Sequence, residues 1–290
     1  MVHTIHIAWR VSRSQAGMTL RDFLRVEKQV SRKLLAEVKY EGGGLRVNSK
    51  AVDVRARIAE ADLVEVTFPP EEASSNIVPV MAPLEVIYED EHVLLIEKPA
   101  GLAVLPMSDR QKPSLAGAVL AYYQESGWPG TVHIVTRLDR DTTGLVLIAK
   151  HRYAHSILTA AQQSGSIHRM YEAVVRGSFS WESVSVYAPI GRRAGSIVEQ
   201  EVSSSGKCAV THVTCLSRSP FESRLAVQLE TGRTHQIRVH LAWLGFPLSG
   251  ESLYASADRR PVHALQARMI AFPHPYTNQM LTFEAKRKLI

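Results

Sequence analysis

The chain has 290 residues, 45% of them hydrophobic and 21% charged. That allows one large domain, or a large and a small one, with a sizeable core. No run of eighteen apolar residues is present and residues 1–14 lack a long apolar stretch, so neither a membrane-spanning helix nor a secretory signal is expected and a cytoplasmic location is the default. The net charge of +6 suits a nucleic-acid partner without requiring one.

Thr19 is placed to cap a helix with Leu20, Phe23 and Leu24 on one face. Ser31 is placed to cap a second, with Leu34, Leu35 and Val38 inward and glycines 42–44 ending it. Strand-like runs follow at 45–48 and 63–66. Residues 1–70 hold 12 Lys and Arg against 8 Asp and Glu, a net of +4. The remaining 22 against 20 leave a net of +2 for everything else. Arg32, Lys33 and Arg46 are among the polar positions of this basic unit, and a solvated surface accounts for them as well as RNA does. The Pro-, Ser- and Glu-rich stretch at 71–83 reads as a linker to a body at 84–290.

In the body, strands are predicted at 84–88, 93–97, 145–149, 171–175 and 223–229, and helices at 114–124 and 153–163. Thr234 is the expected cap of a further helix carrying Ile237, Leu241 and Leu244, stopped by Gly245. Loops between strands are long and no regular βαβ series appears. The expected fold class is therefore α+β: a mixed, largely antiparallel sheet preceded by a small α+β module. Cys208 and Cys215 lie outside any C-x-x-C pair, and none of the twelve histidines falls in an H-E-x-x-H frame. No metal site is expected.

Two stretches carry chemistry. Thr136-Arg137-Leu138-Asp139-Arg140-Asp141-Thr142-Thr143-Gly144 is a charged loop running straight into an apolar strand, a common position for active groups. Flanking cations favour an ionised Asp139, and an ionised carboxylate in a partly dry pocket is a nucleophile. Turn capping by Asp139 or Asp141 explains this stretch equally well. The second stretch, Gly232-Arg233-Thr234-His235-Gln236-Ile237-Arg238, places Arg238 on the first turns of a helix. There it is either a two-point partner for a carboxylate or a surface arginine. Arg233, in the preceding loop, suits a phosphate.

Together these stretches resemble the RluA/RluD family of RNA pseudouridine synthases. The family's first motif reads approximately HRLDRDTSG, and GRTHQIR is intact at 232–238. His92-Val93-Leu94-Leu95-Ile96-Glu97-Lys98-Pro99-Ala100-Gly101 is similar to its opening strand and KPAG turn. The resemblance spans 84–290. The order of elements over about 18–67 resembles the S-four-type RNA-binding module, named after a small-subunit ribosomal protein. The resemblance implies Asp139 as nucleophile, Arg238 as its partner, Tyr171 packed on the target base and open to acting as a base, and Leu265 lining the pocket. It implies Arg137 filling the space left by an extruded uridine; Arg140 and Arg233 are expected on the substrate from their own positions beside these motifs. No cofactor is implied. The implied partner is RNA, large-subunit ribosomal RNA first and transfer RNA second, acted on by a monomer.

Four positions depart from the family pattern: Thr136 and Gln266 replace histidines, Thr143 a serine and Arg169 a lysine. The changes at 136 and 266 put RNA contacts in question. Two rivals remain on sequence grounds. One is a non-catalytic RNA-binding assembly factor, for which the basic module alone would suffice. The other is a hydrolase, which would need Asp141 as a second carboxylate. One structural expectation is sharp: Arg238 and Asp139, 99 positions apart, should touch.

Overall fold

The computed structural model describes residues 4–71, 76–106, 112–128, 130–256, 258 and 260–289. Part of the expected linker, 72–75, lies outside them.

The N-terminal unit runs β1 (His6–Arg10), α1 (Leu20–Asp22) continuing into a π turn (Phe23–Glu27), α2 (Arg32–Tyr40), β2 (Gly44–Val47), β3 (Lys50–Ala51) and β4 (Leu63–Thr67). Its sheet has the order β1-β4-β2-β3, antiparallel throughout. Both expected caps form: the Thr19 hydroxyl accepts from the Asp22 amide and the Ser31 hydroxyl from the Leu34 amide. Each satisfies an orphan helix donor, worth about 1 kcal/mol. Leu20, Phe23 and Leu24 are fully buried and meet Val38, Val64 and Val66 in a core of their own. This is the amphipathic pattern read from the sequence, now packed.

The body runs β5 (Val86–Glu89), β6 (Val93–Lys98), α3 (Leu115–Ser126), β7 (His133–Ile134), β8 (Thr143–Ala149), α4 (Arg152–Gln163), β9 (His168–Arg176), β10 (Ser183–Tyr187), β11 (Ile190–Arg192), β12 (Gln200–Val202), β13 (Val210–Arg218), β14 (Glu222–Leu229), α5 (Gln236–Trp243), β15 (Leu265–Pro273) and β16 (Met280–Glu284). Its main sheet has the order β10-β13-β14-β9-β15-β8-β6-β5, with β16 on β15 and β7 on β8. β15 pairs parallel to β8 and antiparallel to β9, so the sheet is mixed and largely antiparallel, as expected. β6 and β8 carry the continuous apolar runs 93–96 and 145–149 because both faces are covered there. Leu94, Ile96, Val146 and Ile148 share one core with residues of α3, while Val93, Leu95, Leu145 and Leu147 share another with residues of α4.

The two units are docked, not merely tethered. Tyr153 at the start of α4 stacks on Phe68 at 5.6 Å between centroids and donates to the Lys28 carbonyl at 2.9 Å. Tyr276 donates to the Ala8 carbonyl at 2.6 Å and stacks on His92. Arg152 pairs with Glu37 at 2.9 Å. Beneath these contacts His151 caps α4, its Nδ1 accepting from the Ala154 amide, while its Nε2 lies 3.0 Å from His92 Nδ1. Of the segment read as a linker, Glu71 contacts Arg152 and His133, and Val80 donates to the Gly117 carbonyl.

Candidate active site

Asp139 lies in the turn that delivers the chain into β8, where the Thr142 amide donates to the Asp139 carbonyl. Two features fix this turn. Gly144 has φ +105°, and a Cβ there would come within 2.3 Å of the Ala267 carbonyl oxygen. Only glycine permits both that backbone and that approach to β15. Lys98, at 0% exposure, points its ammonium at the carbonyls of Pro99, Leu102 and Arg140, at 2.8–2.9 Å. Its three N–H donors meet three acceptors. Burial lowers its pKa to about 8, opposed by the carboxylates of Asp141 and Asp139.

Arg238 enters from the first turn of α5, 7% exposed. Its Nη1 lies 3.5 Å from Asp139 Oδ2. The contact expected across 99 positions is thus present, slightly longer than a full hydrogen bond. Its shorter bonds go elsewhere. Nε donates to Glu251 Oε2 at 2.9 Å and Nη2 to Oε1 at 2.7 Å, a bidentate fork with a carboxylate that is 0% exposed. Burial by itself would raise the Glu251 pKa, but the Arg238 bonds hold it below the ordinary value. The same pairing outweighs burial on Arg238 and raises its pKa. The Asp139 side chain is 28% exposed, open enough to meet a ligand.

Tyr171 on β9 and Leu265 on β15 lie on one face of the sheet, since Tyr171 pairs with Ala267 and Ala173 with Leu265. Both side chains are buried, and with Ile237 they line a cleft of about 500 Å³ that Asp139 and Arg238 also border. Burial raises the Tyr171 phenol above its usual range, outweighing a hydrogen bond and charge from Arg169. It stays a neutral ring with a polar tip at physiological pH.

Among the described residues neither flanking arginine pairs with Asp139, whose cationic neighbour is Arg238. Arg140 turns to Asp141 at 3.0 Å and is 60% exposed. Arg137 is exposed at the cleft. Arg233 also borders it, with its Nε donating to the Cys208 carbonyl. Arg32, Lys33 and Arg46 are exposed on the N-terminal unit, Lys33 reaching Glu37 at 3.9 Å. The cap of α5 corrects the expectation of Thr234. It is His235 at φ +57°, with no side-chain cap bond, and not Thr234. Thr136 and Gln266, the two positions that depart from family histidines, are both 1% exposed. The Thr136 hydroxyl accepts from the Leu147 amide, and the Gln266 amide donates to the Arg287 carbonyl. Both side chains hydrogen-bond inside the fold.

Sequence reasoning missed Glu251 and His235. His235 was legible as part of the intact GRTHQIR stretch, but its Nε2 lying 3.9 Å from Asp139 Oδ2 was not. Glu251 sits in Gly250-Glu251-Ser252 with no motif to mark it.

A carboxylate faced by a clamped arginine borders a cleft lined by a tyrosine and a leucine. A scaffold that only grips RNA phosphate needs none of it. The chain belongs to the RNA pseudouridylate synthase family, whose model matches residues 92–243, and the reaction it serves is the isomerisation of uridine in RNA to pseudouridine. It is 43% identical to the uncharacterized RNA pseudouridine synthase YjbO of Bacillus subtilis over 270 residues, covering 92% of this chain and 95% of that one. It is 33% identical to ribosomal large subunit pseudouridine synthase D of Vibrio cholerae, covering 98% and 92%. Among solved structures it resembles human RNA pseudouridylate synthase domain containing 1, with a TM-score of 0.60, 20% identity and coverage of 74% and 86%. That last likeness speaks for the fold.

Proposed function

We propose that this enzyme isomerises uridines of large-subunit ribosomal RNA with Asp139 as nucleophile. The carrying observation is the approach of Arg238 to Asp139 at 3.5 Å inside the cleft lined by Tyr171 and Leu265. In the reaction the bond from the sugar's anomeric carbon to N1 of uracil breaks. The base turns, C5 bonds to that carbon, the C5 proton leaves and N1 gains one. Atoms balance without hydrolysis or redox change, so the residues need only hold the parts and move a proton. Asp139 meets the electron-poor centre, a task comparable to that of glycosidase carboxylates. Arg238 sets a positive charge beside it against the repulsion of RNA phosphates. Tyr171 and Leu265 stack on the detached base and hold it against escape. A paired uridine must first leave its stack, and Arg137 fills the space behind it while Arg140 and Arg233 meet the flanking backbone.

We read residues 1–70 as an S-four-type module that grips phosphate through Arg32, Lys33 and Arg46. The ribosomal target draws its support from the ribosomal large subunit enzymes among the relatives. The test uses purified enzyme and transcripts carrying tritium at C5 of uridine, since each turnover sends that hydrogen to water. Release from large-subunit RNA is expected. Release from transfer RNA alone would overturn the target, and release from neither would overturn the activity.

A further inference from the structure

We propose that His235 is a second hydrogen-bond donor to Asp139, locked in its working tautomer by Tyr254, and so a positioning residue for the isomerisation; this rests on Asp139 being the nucleophile. His235 has φ +57° at the start of α5, a conformation that a side chain disfavours and that persists where the surroundings impose it, often at functional sites. What holds this imidazole is the Tyr254 hydroxyl, 2.6 Å from Nδ1. The Tyr254 ring meets the imidazole edge-on, and the Arg238 guanidinium lies 5.3 Å from the ring's centroid. Tyr254 thus touches both groups that approach Asp139.

The tautomer follows from counting protons. The Tyr254 hydroxyl already accepts from the Gln200 amide at 3.0 Å and has one proton to give. If it donates to His235 Nδ1, the ring proton sits on Nε2, the nitrogen 3.9 Å from Asp139 Oδ2. The reverse assignment leaves the hydroxyl proton without this partner and turns a bare Nε2 lone pair toward a carboxylate. The first arrangement is attractive at every step, and burial, which lowers the His235 pKa, keeps the ring neutral. Both approaches to Oδ2, 3.9 Å from His235 and 3.5 Å from Arg238, are long for hydrogen bonds. Contacts of this kind tighten when substrate closes the site. Arg238 shares its charge with Glu251, so a second donor is needed to fix which Asp139 oxygen faces the substrate.

The test compares His235→Gly, His235→Gln and Tyr254→Phe with wild type by tritium release. Glycine tolerates the positive φ, so His235→Gly keeps the start of α5 while removing the ring. We expect kcat to fall at least about tenfold with KM for RNA within about twofold, and added imidazole to restore several-fold of the loss. His235→Gln, which keeps an N–H donor, should exceed His235→Gly, and Tyr254→Phe should lower kcat with KM unchanged. His235→Gly with wild-type kcat overturns the proposal. So does a fall that neither imidazole nor glutamine relieves, which marks a structural role. Asp139→Asn is measured alongside: if it loses activity while His235→Gly does not, this proposal fails and the nucleophile stands. If Asp139→Asn stays active, both fail.

Discussion

Replacing Glu251 by glutamine probes the clamp on Arg238 without changing the side chain's volume. In the native protein two N–H groups of Arg238 meet two carboxylate oxygens at 2.9 and 2.7 Å, and Oε1 also accepts from the Leu253 amide. Glutamine supplies one oxygen and one NH2, so one guanidinium donor faces another donor in a place closed to water. Breaking one side of a buried ion pair costs about 3–5 kcal/mol. The retained shape and remaining acceptor argue for the lower end, about 3 kcal/mol, or a melting temperature lower by roughly 6–10 °C. An Arg238 freed on one side also loses its aim at Asp139. A hundredfold fall in kcat corresponds to about 2.7 kcal/mol of transition-state stabilisation, and we expect a loss of about that size with KM for RNA nearly unchanged. Thermal unfolding and tritium release measure the two halves separately. A variant with kcat within about threefold of wild type would refute the claim that Glu251 aims Arg238.

Three further outcomes are expected. Arg137→Ala should slow turnover on a paired uridine by more than about tenfold and be largely rescued on a substrate whose uridine is already unpaired; equal loss on both would contradict a role in extrusion. Replacing Arg32, Lys33 and Arg46 by alanine should flatten the slope of log affinity against log salt by up to about three phosphate contacts, and an unchanged slope would remove phosphate from their role. Burial lowers the His151 pKa from 6.5 to about 3, with help from His92, so the unfolded chain binds this proton first. The stability it confers is full above pH 6.5 and lost as pH falls toward 3. The melting temperature should drop over that window, and a flat profile would contradict a neutral His92–His151 pair at the junction.

Much of this site was legible because its parts lie in two contiguous motifs. Asp139 and Arg238 are each marked by their own stretch, and the caps Thr19 and Ser31 are local events that their neighbours specify. What the sequence hid depends on distant partners or unusual backbone. β15 pairs with β8 on one side and β9 on the other, so Leu265–Pro273 follows no simple alternation. His235 at φ +57° displaces the expected cap at Thr234, since nothing in Thr-His-Gln signals a left-handed residue. Glu251 looks like a surface acid until the fold buries it against Arg238. That the side chains of Thr136 and Gln266 turn inward shows only in the fold.

The most direct test of the account is Asp139→Asn, which keeps the side chain's shape and removes its charge. Wild type and variant are given the same tritiated large-subunit RNA, and single-turnover release and RNA affinity are both measured. The account predicts a rate below about a hundredth of wild type, a loss of more than about 2.7 kcal/mol, with affinity nearly intact. A variant that keeps more than that hundredth while binding RNA normally would show that Asp139 is not the nucleophile.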